Sequence, residues 1–397
     1  MHVQKQSKLP YAIVIGLDCI TGLQTVRILA AHGIPIIALA KDPEHFCCQT
    51  KLCERISSVN TASEDLIRTL ETLASELHQK AVLIPCTDMS VLTISRHRQR
   101  LVDCYHVMLP EPEIVEMLMN KVSFYTYAQK EGIPIPKTFF LKKRSDAETA
   151  ASKLTFPCIM KPPMKTPTWE KNTRAKVYKI SNREDFLALY DKCSGWADLL
   201  MVQEWIEGTD SSLYSCNCYF DANSEPQVTF IARKLRQWPP ETGTSCLGEE
   251  CRNDYVLEES IRLFKSVNYR GLGYVEMKRD ERTGKEYIIE PNIGRPTGRS
   301  AIAEAGGVEL LYTMYCDATG LPLPINRIQK YKGVKWIYLQ HDIPSAFHYW
   351  KRGELTIREW WRSVHGAKRD AVFSWTDPVP FSFGMFGAFK TLIKRKK

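Results

Sequence analysis

Short apolar runs alternate with amphipathic stretches through the first part of the chain. "YAIVIG" reads as a buried strand, "ITGLQTVRILAAHG" as a helix closed by glycine, and "IPIIALAKD" as a second strand. Ser63 to Gln79 predicts a helix and "KAVLIPCTD" a later strand. Strands alternating with helices imply a parallel sheet with right-handed crossovers, expected to end near Pro110–Pro112. A single helix is expected over "EIVEMLMNKVSFYTYAQKEG", stopped by Gly132 and the prolines after it. "TFPCIMKP" and "LLMVQEWIEG" are strand-like runs on either side of a helix at Arg183–Lys192, and Ser212–Arg236 reads as long antiparallel strands. A helix near Tyr255–Val267 leads into "GYVEMKRDERTGKEYIIEPNIGR", which reads as two strands joined at "DERTGKE". After Ile325 the periodicity fades into sequence rich in Trp, Phe and Tyr.

The chain has 397 residues, 44% hydrophobic and 25% charged, which is room for two or three ordinary globular domains. No apolar run reaches the ~18–20 residues that cross a bilayer, and "MHVQKQSKLP" lacks the apolar segment of a secretory signal. Thirteen scattered cysteines suit a reducing compartment, so a cytoplasmic location is expected. Cys47, Cys48 and Cys53 lack the paired spacing of a zinc site. The net charge of +9 favours anionic ligands. No basic and aromatic binding module appears, so no nucleic-acid partner is expected. The end, "FSFGMFGAFKTLIKRKK", suits either a peripheral membrane contact or a packed helix with a solvated basic end.

Gly16, Gly22 and Asp42 invite a dinucleotide reading, but "GLDCITG" lacks the GxGxxG spacing and puts Asp and Cys where the backbone would approach a pyrophosphate. A nicotinamide-dependent oxidoreductase is therefore a minor rival. Lys121 and Lys161 flank a small α+β unit, and two lysines converging there suit a polyphosphate. "MVQEWIEGTD" is a hinge-like strand whose backbone could pair with an adenine edge while Asp210 reaches a ribose hydroxyl. Glu276, Glu290 and Asn292 offer three hard oxygen ligands of the kind magnesium favours. Strand alternation alone would explain polar residues there; their order after two lysines and a hinge is what points to a metal-nucleotide site.

That order, "NK", "FPCIMKP", "VQEWIEG", "GYVEMKRD", "IIEPNIGR", resembles the ATP-grasp superfamily over residues 11–325, and "RKLRQWPP" with "EPNIGR" is similar to its carboxylate-amine ligase (carboligase) branch. The resemblance implies an α/β and α+β chain: a Rossmann-like pre-ATP-grasp domain (1–112), two α+β subdomains (113–200 and 201–325) sandwiching ATP, the larger with the metal site, and a C-terminal aromatic and basic extension (326–397). It implies ATP with Mg2+, and Mn2+ as a substitute. Lys121 and Lys161 resemble the phosphate-holding lysines, Gln203 stands near the adenine amino group, Glu204 and Ile206 offer backbone contacts to adenine, and Asp210 replaces the usual ribose-binding glutamate. Glu276, Glu290 and Asn292 resemble the magnesium triad. Arg295 falls one position later than the family's arginine, so Arg299 competes with it for the acyl phosphate. The loop after Lys161 lacks the family's glycines; among Lys165, Lys171, Arg174 and Lys176, Lys176 is the preferred substitute cation. Arg233, Lys234 and Arg236 lie on one strand, with Lys234 expected to face opposite to the two arginines and one face to meet the transferred phosphoryl group. Asp88 is a candidate substrate contact, and Trp238 with the loop to Cys246 a candidate acceptor wall. The implied activity is ATP-dependent joining of a small-molecule carboxylate to an amine through an acyl phosphate, in a chain that can form a homodimer. Carboxylation, carboxylate phosphorylation and non-catalytic nucleotide binding are the other readings.

Overall fold

The computed structural model describes residues 9–164, 166–175, 177–240 and 243–385. Its first sheet is five-stranded and parallel, in the order β3-β2-β1-β4-β5, formed by β1 (Ala12–Ile15), β2 (Ile36–Ala40), β3 (Arg55–Ser58), β4 (Ala81–Pro85) and β5 (Tyr105–Val107). The inner strands are apolar at every position because helices cover both faces. Helix α1 (Ile20–Ala31) starts on a turn that only glycine fits: a Cβ on Gly22 would lie 2.3 Å from the Gly16 carbonyl oxygen. Asp18 accepts hydrogen bonds from the Lys41 and Asp42 amides, so the crevice a dinucleotide would need holds a carboxylate instead.

The expected single helix after this sheet is two, Pro112–Met119 and Lys121–Lys130. Asn120 is extended between them and its side chain accepts from the Val122 and Ser123 amides, an N-cap that restarts the helix. Lys121 thereby becomes the first residue of the second helix.

A four-stranded antiparallel sheet, β6-β9-β7-β8, follows, from β6 (Thr138–Leu141), β7 (Cys158–Lys161), β8 (Tyr178–Ile180) and β9 (Leu200–Glu204). It has its own core around Trp169, Phe186 and Met160. The third sheet is seven-stranded, β14-β13-β10-β11-β12-β15-β16. Its strands are β10 (Leu213–Phe220), β11 (Pro226–Trp238), β12 (Thr244–Glu250), β13 (Gly271–Arg279), β14 (Glu286–Ile293), β15 (Lys335–Ile337) and β16 (Lys368–Asp370). The last two bring the C-terminal region into this sheet. Arg27, buried in α1, donates to Asp377 and to the carbonyls of Val372 and Asp377, which ties the C-terminal region to the first sheet as well. The described residues include no helix long and apolar enough to cross a membrane. All thirteen cysteines are free, and burial pushes the Cys48 and Cys53 thiols up to about 12.

Candidate active site

The hairpin β13–β14 sets Glu276 directly opposite Glu290, and Tyr274 opposite Asn292. Residues two apart on a strand share a face, so these four side chains line one surface. Two carboxylates facing across an antiparallel pair repel, and such a pair persists only where cations offset it. Both have one: Lys121 Nζ lies 2.7 Å from Glu290 and Lys234 Nζ 3.7 Å from Glu276. Burial works to raise the Glu276 carboxyl, and Lys234, then Arg299 and Arg295, outweigh it, leaving its pKa below the usual value.

Tyr274, Glu276 and Glu290 of this face floor a cavity of about 630 Å³, whose walls include Lys161, Lys234, Arg295 and Arg299. A second cavity, of about 670 Å³, adjoins it, and Trp205 and Gln237 line both. Trp205 sits in a cationic setting, its ring centre 4.6 Å from Lys179 Nζ and 4.8 Å from Lys278 Nζ.

The two competing arginines are held differently. Arg295 contacts Asp88 and donates to Tyr274 Oη at 3.0 Å and Asn292 Oδ1 at 2.9 Å. Asp88, expected against a substrate, is thus a partner of Arg295. The Asn292 oxygen keeps a second lone pair. Arg299 is buried and donates to Ser215 Oγ at 2.9 Å, while its other terminal nitrogen, Nη1, has no hydrogen-bond partner. Burial lowers the Arg299 pKa against the pull of Glu276.

Five expected contact residues are engaged or buried within the fold. Arg236 is not beside the metal-type carboxylates: it is 4% exposed and makes a paired contact with Asp342, at 2.8 and 3.0 Å. Lys234 and Arg236 do face apart as expected, but not through alternation, which sets residues two apart on one face; the β11–β12 register shifts between them, and that bulge separates them. Gln203 is interior, its Nε2 donating to Thr138 Oγ1 at 2.8 Å, rather than turned toward a nucleotide. Asp210 lines the second cavity with its carboxylate accepting from the Gln237 amide, Gln237 Nε2 and Tyr349 Oη, which leaves one lone pair, on Oδ1, for a ribose hydroxyl. Glu204 spends its backbone N–H on the Lys137 carbonyl, which removes that donor from any adenine contact, and Ile206 beside it is buried. Lys165 and Lys176 lie outside the described residues.

Sequence reasoning missed Tyr274, Lys278, Thr21 and His341, all on the cavity walls. Alternation from Glu276 along β13 could have found Tyr274 and Lys278. His341 carries no local signal, since it reaches the cavity from the C-terminal region.

The donor set fits a magnesium ion. Among the described residues no three His, Cys, Asp or Glu side chains converge, so two carboxylates and an amide oxygen form an incomplete shell. Magnesium commonly completes such a shell with phosphate oxygens and water.

Because the Glu276 pKa is lowered in the fold, its ion pairs stabilise the protein above its unfolded-state pKa, and that contribution is lost as pH falls through the folded value. Glu276→Gln is therefore expected to lower the thermal midpoint at neutral pH. The gap from the unsubstituted protein should narrow in acid, as read by thermal melts over a pH series.

No family model matches the chain. It is 24% identical over 247 residues to a D-aspartate ligase of Enterococcus faecium, covering 60% of this chain and 58% of that protein. To a D-alanine–D-alanine ligase of Pseudomonas putida it is 20% identical over 189 residues, 44% of this chain and 54% of that one. The chain thus spans less than two thirds of the length of these curated relatives. Among solved structures, N5-carboxyaminoimidazole synthetase from Staphylococcus aureus superposes with a TM-score of 0.63 at 14% identity, covering 80% of this chain and 78% of that one. The biotin carboxylase domain of Hydrogenobacter thermophilus 2-oxoglutarate carboxylase, solved with MgADP and bicarbonate, gives 0.61 at 14% identity, covering 80% and 71%. The chain thus has the ATP-grasp fold of these structures, with a Rossmann-like domain ahead of the two ATP-grasp subdomains, and its sequence is similar to D-aspartate and D-alanine–D-alanine ligases.

Proposed function

We propose that the protein is an ATP-dependent ligase that joins a small-molecule carboxylate to an amine. The observation that carries this is the register of β13 and β14, which opposes Glu276 to Glu290 with Lys121 and Lys234 beside them. Glu276, Glu290 and Asn292 would hold magnesium, which neutralises phosphate charge and fixes the phosphates when bound. Lys121, Lys161 and Lys234 bind phosphate oxygens, and Trp205 with the hinge after β9 takes the adenosine end.

A substrate carboxylate oxygen then forms a bond to the γ-phosphorus as the bond to the β–γ bridging oxygen breaks, giving an acyl phosphate and ADP. An amine nitrogen attacks the acyl carbon; the carbon–oxygen bond to phosphate breaks, and the amine's proton is lost to the phosphate or solvent. Arg299 is the arginine assigned to the transferred group, because its Nη1 has no partner whereas the Arg295 donors are engaged. No nucleophilic side chain is needed; positioning and charge neutralisation supply the catalysis.

Phosphate release from ATP, screened over amino acids and amine acceptors with mass spectrometry of the products, tests this reading. The expected result is an amide with ADP and phosphate in equal amounts. A carboxylated product that requires bicarbonate, or a stable phosphorylated acid, would replace the amine step with other chemistry of the superfamily. Thermal shift separates the oxidoreductase reading: magnesium-ATP is expected to raise the midpoint by several degrees, whereas NADH or NADPH leaves it unchanged.

A further inference from the structure

We propose that the two C-terminal helices form a docking surface for an anionic lipid bilayer. The helix Leu339–Lys351 turns Asp342, Ser345 and Ala346 into the protein. Leu339, Ile343, Phe347 and Trp350, spaced one helical turn apart along the other side, are exposed. Phe347 and Trp350 stack, with ring centres 5.6 Å apart. The helix Ile357–Val364 buries no residue at all, and its Ile357 and Trp361, one turn apart, are 73% and 62% exposed. Scattered exposed apolar residues are ordinary; two adjoining helices that both present Trp and aliphatic side chains to solvent are not.

The occupant is chosen by charge. Between Phe347 and Arg369 the chain has six Lys and Arg residues, Lys351, Arg352, Arg358, Arg362, Lys368 and Arg369, against two glutamates. Both glutamates are engaged locally, Glu354 by Arg352 and Glu359 as the cap of Thr356. Lys351 Nζ lies 4.5 Å from the Phe347 ring centre, so cation and aromatic sit together. Trp and Phe beside Lys and Arg are the side chains that settle at the headgroup level of a membrane with acidic lipids. A twofold contact with a second copy would set this cationic face against itself, which like-charge repulsion opposes. The surface is also fixed relative to the cleft: Tyr349, on the first of these helices, donates to Asp210 at 2.8 Å, and Trp360, on the second, to Asp342 at 2.9 Å.

Sedimentation of the full-length protein with vesicles tests the proposal, using phosphatidylcholine alone and phosphatidylcholine with about one third phosphatidylglycerol. Binding is expected to the acidic vesicles, to weaken as salt rises from about 0.1 to about 0.5 M, and to shift tryptophan emission to the blue. The variant F347S/W350S/W361S should bind at least about tenfold more weakly, and so should R358E/R362E. Unchanged circular dichroism and an unchanged response to magnesium-ATP would show that these variants are folded. Replacing Lys390, Lys394, Arg395, Lys396 and Lys397 with glutamine should retain most of the binding. The proposal is overturned by no binding to acidic vesicles, by binding that survives the aromatic substitutions but not the tail substitutions, or by a solution dimer that the aromatic substitutions dissociate.

Discussion

Glu290→Gln is expected to reduce magnesium-ATP turnover at least about a thousandfold, roughly 4 kcal/mol of transition-state stabilisation. The substitution keeps the side chain's shape and one oxygen but removes the charge that would bridge a divalent cation to phosphates. Little stability should be lost. The ion pair with Lys121 is about half solvent-exposed on the glutamate side, and a pair of that kind contributes under about 1 kcal/mol. The signature is therefore a variant that melts close to the unsubstituted protein, binds ATP with a weakened dependence on magnesium, and releases almost no phosphate. Phosphate release, nucleotide titration with and without magnesium, and a thermal melt together read it. Full turnover in the variant would remove the hairpin from the metal role and the ligase reading with it.

How far the site could be read in advance depended on how local each part is. The hairpin was legible because alternation and the "TG" turn are written within one stretch, but the pairing of Glu276 with Glu290 was not, because the register shifts between Glu276 and Met277 and skips Ile289. The inner strands of the parallel sheet were also legible: β1, β2 and β4 are continuous apolar runs, whereas the edge strands β3 and β5 are short and partly polar. Asn120 was readable too, since Asn before a helical run is a cap, but the apolar period on both sides of it suggested one uninterrupted helix. The pairing of Arg236 with Asp342 was not legible, because the register shifts on either side of Arg236 and its partner comes from a distant helix, and neither leaves a mark in the composition. The pairing of Asp88 with Arg295 joins distant segments of the chain, and neither residue's neighbours announce the other. The strands β15 and β16, three residues each, are shorter than any period that could reveal them, so the route by which Trp336, Tyr338 and His341 reach the cavity is purely tertiary.

The largest effect on stability is expected at Asp342, which no substrate reading singles out. Its carboxylate is fully buried and accepts from Arg236 Nε and Nη2 at 2.8 and 3.0 Å and from Trp360 Nε1 at 2.9 Å. Removing one partner of a buried pair leaves the other charged and unpaired, which costs about 3–5 kcal/mol, more than the pair itself contributes. Asp342→Ala should therefore lower the urea midpoint strongly, and Asp342→Asn less, because an amide oxygen still accepts from Arg236. The discriminating measurement is a double-mutant cycle. Arg236→Met combined with Asp342→Leu removes both charges and keeps the volume, and it is expected to be more stable than either single variant. If the double variant were instead as unstable as the sum of the singles, the loss would lie in packing around the two helices rather than in a stranded guanidinium. The same cycle has a functional readout. Arg236 is followed on β11 by Gln237, whose amide and side chain hold Asp210 at the second cavity. The stranded arginine of Asp342→Ala is expected to disturb nucleotide affinity, and the charge-free double variant to restore it, although neither residue contacts the metal-type carboxylates.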